Sequence, residues 1–164
     1  MADVEEILWR LDLRLHPEEG GYFRETYRSP LLVTSAHGER SIATAIYYLL
    51  TPDAYSALHR LAGDEVFHFY QGDPVEMLQL HPDGTGAIVT LGPDLGAGMH
   101  PQLLVPAGTW QGSRLAPGGS YALLGTTMSP GFDSADYEHG DGEILAERYP
   151  AWKDEIVRLA RPPR

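Results

Sequence analysis

Between residues 41 and 128 the chain is cut into short apolar runs, and each run is closed by turn-forming residues. Residues 42–50 end at Thr51-Pro52-Asp53, and residues 56–61 end at Ala62-Gly63-Asp64. Residues 65–70 end at Gln71-Gly72-Asp73-Pro74, and residues 75–80 at His81-Pro82-Asp83-Gly84. Runs over 86–91, 102–105, 109–115 and 120–128 follow, again separated by Gly, Pro or Asp. Such spacing leaves no room for helices between the runs. It predicts about eight strands in series, paired as an antiparallel sandwich or barrel rather than as βαβ units.

The flanks read differently. Residues 3–11 carry Val4, Ile7, Leu8 and Leu11 on one helical face, the i, i+3, i+4, i+7 pattern of an amphipathic helix. Asp3 with Glu6 three residues on resembles a capping box. His16-Pro17-Glu18-Glu19-Gly20-Gly21 is a loop by composition. Residues 22–28 are extended, with Phe23, Glu25 and Tyr27 on one face and Tyr22, Arg24, Thr26 and Arg28 on the other. A helical tail is expected over about 134–160 from the spacing of Trp152, Ile156 and Leu159, ending at Pro162-Pro163. No repeat or linker divides the 164 residues, so one domain over 1–164 is expected, its barrel over about 22–128.

There is no cysteine. That excludes a disulfide framework, thiolate metal sites and cysteine nucleophiles. Twelve Lys and Arg against 23 Asp and Glu give a net charge of −11. Phosphate backbones repel such a chain, so nucleic acid is not an expected partner. The densest basic cluster, Arg158, Arg161 and Arg164, lies at the very end. No apolar run approaches a membrane span, and the acidic start MADVEEILWR lacks the pattern of a secretory signal. A soluble, cytoplasmic protein is expected.

The middle of the chain resembles a cupin. The first cupin motif is Gly, five residues, His-x-His, three or four residues, Glu, six residues, Gly. Here His59-Arg60-Leu61 is followed by Glu65 and then Gly72 at the motif's spacing. The second motif contains Pro-x-Gly, two residues, His; here it is Pro106-Ala107-Gly108 and then Gln111. Leu61 and Gln111 stand where histidines belong, and His100 stands where a glycine belongs. The chain is more closely similar to the cupin-5 family of domains of unknown function. The phrases GGYFRETYRS (20–29), SALHRLAGDEVFHFYQG (56–72), PAGTWQG (106–112) and SPGFD (129–133) carry that resemblance.

The resemblance implies an all-β jelly-roll barrel with short terminal helices, paired as a homodimer by strand exchange. It also implies a divalent metal held inside by His59, Glu65 and Gln111. Imidazole suits transition metals, whereas carboxylate and amide oxygens suit harder ions. With two imidazoles lost, no tightly held cofactor is expected and a metal only weakly. His59 shares its strand face with Leu61, and Glu65 shares its face with Phe67 and Phe69. His68 has the opposite parity and points away.

Without a metal, His59 and Glu65 form an acid–base pair in a partly apolar cavity. The 22–28 strand is similar to the ligand-contacting strand of the dTDP-sugar epimerases, which implies contacts from Phe23, Arg24 and Glu25. Tyr48 and Tyr121 are candidate acids, Asp133 a candidate ligand contact, and His81 a surface hairpin residue. Three readings stand open. One is a sugar or nucleotide-sugar epimerase or isomerase using His59 and Glu65. The second is a non-catalytic protein that binds a small sugar-like ligand. The third is a metal-dependent cupin enzyme with a reduced ligand set.

Overall fold

The computed structural model describes residues 3–160. Chain order begins with α1 (Val4–Arg10), β1 (Arg14–Leu15), β2 (Tyr22–Arg28), β3 (Leu32–Ser35), β4 (Gly38–Ser41), β5 (Thr44–Leu50) and β6 (Ser56–Leu61). It continues with β7 (Glu65–Gly72), β8 (Val75–Leu80), β9 (Gly86–Leu91), β10 (Gln102–Val105), β11 (Trp110–Leu115) and β12 (Ala122–Met128). It closes with β13 (Tyr137–His139), α2 (Gly142–Arg148) and α3 (Lys153–Leu159). The runs at 56–61, 75–80, 86–91 and 102–105 are strands over the expected residues.

One sheet has the order β1-β2-β5-β12-β7-β10 and the other β13-β6-β11-β8-β9. Neighbouring strands in both are antiparallel. The two sheets face each other as a jelly-roll sandwich. Tyr48, Leu50, Phe67 and Leu124 of the first sheet pack with Val75, Met77, Leu91 and Leu115 of the second. Strands such as β5 are apolar on both faces because helices cover the outside. Ile7 of α1 packs with Leu49, Tyr121 and Leu123. Leu145, Ile156 and Leu159 of α2 and α3 pack on Leu58, Leu78, Leu80 and Trp110. Each fully buried aliphatic side chain contributes about 1.5–3 kcal/mol.

The flanks depart from expectation in four places. Asp3 sits at the N-cap of α1, but its side chain makes no capping bond, and the helix is a residue shorter at each end. Residues 32–41, to which no element was assigned, form the β3–β4 hairpin. The tail is not helical throughout: β13 pairs along β6, with His139 opposite His59. A free strand edge supplies the hydrogen bonds that make so short a segment extended. Finally, β2 carries a bulge between Glu25 and Tyr27. A bulge inserts one residue and reverses the alternation beyond it. Arg28 therefore lies on the face of Glu25, not opposite it. Pro162-Pro163 and the basic residues Arg161 and Arg164 lie outside the described residues.

Candidate functional site

The inward rows of the first sheet follow from its register. Glu25, Ile46, Thr126 and Phe67 form one row across β2, β5, β12 and β7; Arg28, Thr44, Met128 and Glu65 form the next. On the facing sheet His59, Gln111 and Gln79 form a row across β6, β11 and β8. At this end the two sheets enclose a cavity of ≈ 360 Å³. Phe23, Ile46, Leu61, Met128 and Phe132 make its apolar wall. Its ionisable groups are His16, Glu19, Glu25, Arg28, Glu65 and Asp133, and Thr44, Thr126 and Ser134 add hydroxyls.

Glu19 reaches the cavity from the loop before β2. Its carbonyl accepts from the Ala57 N–H of β6 at 2.8 Å. The next two residues, Gly20 and Gly21, have φ of 88° and 71°, a region costly for residues with a Cβ. A Cβ on Gly21 would stand 2.8 Å from the Tyr48 ring. The Gly pair thus lets the chain fold tightly over Tyr48, whose hydroxyl donates to the Gly20 carbonyl at 2.7 Å. Ser56 Oγ donates to Glu19 Oε1 at 3.2 Å. Burial pushes the Glu19 carboxyl up from its ordinary value.

His59 is 1 % exposed. Its Nδ1 lies 2.8 Å from the Ala57 carbonyl. A carbonyl only accepts, so Nδ1 carries the proton and Nε2 is a bare acceptor in the neutral ring. Nε2 has no hydrogen-bond partner among the described residues and points at Glu19, with Oε2 3.5 Å away. Burial lowers His59 while it raises Glu19. Burial thus works against the charged form of each group. The ring stacks on Tyr137 at 5.3 Å.

Glu65 is 6 % exposed and accepts from the Gln111 amide, Nε2 to Oε2, at 2.8 Å. Its carboxyl is pushed up to about 7, first by burial and next by the Glu19 charge; His59, Gln111 and Thr126 pull the other way. His16 lies beside them, its ring 4.6 Å from that of Phe23. Its Nδ1 accepts from the Glu18 and Glu19 N–H groups at 3.3 and 3.0 Å, which leaves the proton on Nε2. Burial lowers His16 as well.

The mouth is a clamp between β2 and the segment 129–136. Arg28 donates to Glu25 from Nε at 2.9 Å and from Nη2 at 2.8 Å. Nη2 also donates to the Phe132 carbonyl at 3.0 Å. The Phe132 N–H donates to Thr44 Oγ1 at 2.9 Å. Asp133 lines the cavity and also caps the Ala135 N–H at 2.9 Å.

Of the residues expected at the site, Phe23, Glu25, Glu65 and Asp133 line the cavity. His59 and Gln111 stand directly behind that lining. Tyr48, Phe67 and Phe69 belong to the packed core rather than the wall. Two expectations are corrected. Arg24 lies on the outer face of β2, its guanidinium 5.8 Å from the Tyr47 ring, because alternation opposes it to Glu25. Tyr121 precedes β12 and packs under α1 with Ile7 and Leu49. A third change concerns pairing: the carboxylate in ion-pair range of His59 is Glu19, not Glu65. Glu19, His16 and Arg28 were not among the expected residues. The one signal for Glu19 was a carboxylate set against a glycine pair; Arg28 was hidden by the bulge.

A family model described as "Cupin superfamily (DUF985)" matches residues 5–140. The chain belongs to this family. It is 32 % identical to an uncharacterized protein of Saccharomyces cerevisiae, over 94 % of this chain and 77 % of the yeast protein. Among solved structures, a hypothetical protein from Leishmania major superposes with TM-score 0.91 at 33 % identity, covering 98 % of this chain and 100 % of that one. A protein from Shewanella oneidensis superposes with TM-score 0.89 at 34 % identity, covering 99 % of each. Oxalate decarboxylase from Bacillus subtilis matches at TM-score 0.56 and 18 % identity, over 93 % of this chain and 38 % of that one. That likeness shows the fold alone.

The donors at the cupin metal positions do not suit a resident transition metal. Leu61 offers no donor atom. Gln111 turns its amide N–H on Glu65, and an N–H is not a ligand. One bare imidazole nitrogen and one carboxyl remain, short of the three protein ligands of even an open site. No group of three or more His, Cys, Asp or Glu placed to hold a metal ion is found among the described residues. Nor is any helix among them long and apolar enough to cross a membrane.

Proposed function

We propose that this cupin binds a small polar ligand in the cavity and shifts a proton on it, as a sugar isomerase or epimerase does. One observation carries this: Glu19, His59 and Glu65 converge at the inner end of a cavity, each displaced by burial from its ordinary pKa. Such displacement marks candidate acid–base sites. Near pH 7 Glu65 is divided between its two forms, which suits a group that both takes and returns a proton. Glu65 removes a proton from the carbon beside a ligand carbonyl. Glu19, in its protonated form and beside the bare Nε2 of His59, delivers one to the ligand oxygen. The Phe23, Ile46 and Leu61 wall keeps water from competing.

The test is proton exchange with solvent. Reducing sugars incubated with the protein in D2O are followed by NMR for deuterium entering carbon-bound positions. Incorporation is expected with the natural chain and should fall at least about 100-fold in Glu65→Gln, the usual scale of one acid–base group. Unchanged exchange in that variant would falsify the assignment. Saturable binding with no exchange would favour the non-catalytic reading.

A homodimer is part of the same proposal. Tyr27, Leu31 and Leu32, at and beyond the bulged end of β2, are 53 %, 64 % and 58 % exposed, and apolar surface of that kind suits a second copy. Sedimentation at the monomer mass at micromolar concentration removes this part.

A further inference from the structure

The charges around the cavity are unbalanced. Glu19, Glu25, Glu65 and Asp133 face it, against one permanent cation, Arg28. Arg28 is already engaged by both carboxylate oxygens of Glu25 and by the Phe132 carbonyl. Its charge is thereby offset, and only its Nη1 N–H groups and the His16 Nε2–H remain to meet an incoming anion. The inner end is likewise poor in donors. The Gln111 amide is spent on Glu65 and the Ser56 hydroxyl on Glu19. His59 adds a buried, unpartnered Nε2 that points at Glu19 and can only accept in the neutral ring. In the free protein burial raises both Glu19 and Glu65 toward their neutral forms.

We infer that the ligand of this cavity carries a protonated amine on a short hydroxylated carbon skeleton, the ammonium seated between Glu19 and Glu65 and the skeleton against the Leu61 and Phe132 wall. An ammonium has three donors and no acceptor, the complement of what the inner end presents. Hydroxyls find acceptors in Glu25 and Asp133 at the mouth. A phosphate or carboxylate ligand would meet uncompensated carboxylates instead, which counts against nucleotide sugars. The inference rests on the proposed cavity site and adds the class of ligand.

Three probes share one six-carbon polyol chain and differ only in charge at the first carbon: glucamine, sorbitol and gluconate. Their binding is measured by titration calorimetry at pH 6 and pH 8, in two buffers of different ionisation enthalpy. Glucamine stays protonated throughout, as ordinary alkylamines do. It should bind at least tenfold more tightly than sorbitol, with gluconate the weakest. Its affinity should rise from pH 6 to pH 8 with release of a proton, since the ammonium favours the ionised form of Glu65, whose carboxyl is raised to about 7. Glu65→Gln should erase most of the preference while keeping the fold. Tighter binding of sorbitol or gluconate overturns the amine but leaves the cavity site standing. Binding of none of the three at millimolar concentration overturns the amine too. The deuterium exchange experiment then decides the cavity site separately.

Discussion

The space between the two sheets changes character along the same strands. On β7, Phe67 and Phe69 face inward among Leu50, Met77 and Leu124, while Glu65, two residues before Phe67, faces a cavity. On β12 the inward residue passes from Leu124 to Thr126, and on β11 from Leu115 to Gln111. Strand pairing extends through both halves, with register shifts between Leu123 and Leu124 on β12 and between Gln111 and Ser113 on β11. The difference lies in side-chain chemistry, with the β2 bulge adding Arg28 to the polar half. The apolar half gains from burial and asks for no special protonation state. In the polar half, burial displaces Glu19, His59 and Glu65 from their ordinary pKa values, which makes that half a cost to stability at one pH or another. One half holds the fold, and the other is held by it.

The largest expected effect lies in the apolar half. Phe67 is 1 % exposed, and Phe67→Ala should destabilise by about 3–5 kcal/mol, the range for deleting a buried aromatic ring. Urea unfolding checks this; a loss under about 1 kcal/mol would mean that the apolar half is not the stabilising one.

Glu65→Gln should act in the opposite direction, and only at higher pH. The folded carboxyl is raised to about 7, above its value in the unfolded chain. Between the two values the folded state holds a proton that the unfolded state has lost. Stability therefore falls as pH rises from about 4.5 to about 7. The variant removes that slope, so it should be near neutral at pH 5 and stabilising by about 2–3 kcal/mol at pH 8. His16 and His59, lowered by burial, weaken the fold below their unfolded value instead. The variant also removes the Glu65 charge that raises His59, so pH 8, where the histidines are neutral, gives the cleaner comparison. Paired thermal melts at pH 5 and pH 8 give the comparison, and equal melting points at pH 8 would contradict it.

A smaller effect is expected where the cavity wall is tied down from outside. Arg40 on β4 donates to both oxygens of Asp136 at 2.8 and 2.7 Å, and both side chains are 11 % exposed. Arg40→Met leaves that carboxylate unpaired, and a loss of about 1–2 kcal/mol is expected, less than for a fully buried pair. If the segment carrying Asp133 and Phe132 depends on this tie, the variant should also show faster amide exchange there. The smallest effect belongs to neither half. Arg10 and Glu6 pair on α1 with side chains 65 % and 44 % exposed, so Arg10→Ala should change urea unfolding by less than about 0.5 kcal/mol.

Much of the frame was legible because strand alternation and turn chemistry are local. The four runs that became β6, β8, β9 and β10 over their expected residues are bounded by Gly, Pro or Asp turn signals or by the chain's next run. The inward parity of His59, Glu65, Phe67 and Gln111 followed from a period of two. The β3–β4 hairpin and β13 were not legible, since exposed or very short strands carry little apolar pattern, and β13 depends on the β6 edge beside it.

By itself, then, the sequence determined an antiparallel barrel with His59, Glu65 and Gln111 turned into it, and assigned the chain to its family. Tertiary structure alone decided which groups meet. It brought Glu19 from a loop forty residues before His59 to within 3.5 Å of its Nε2. It turned Arg28 inward through a bulge and sent Tyr121 beneath α1. It also raised Glu65 to about 7 by burying it near a second carboxylate. The reason is one of range. Alternation is set by neighbours along the chain, whereas pairing, desolvation and pKa are set by neighbours in space.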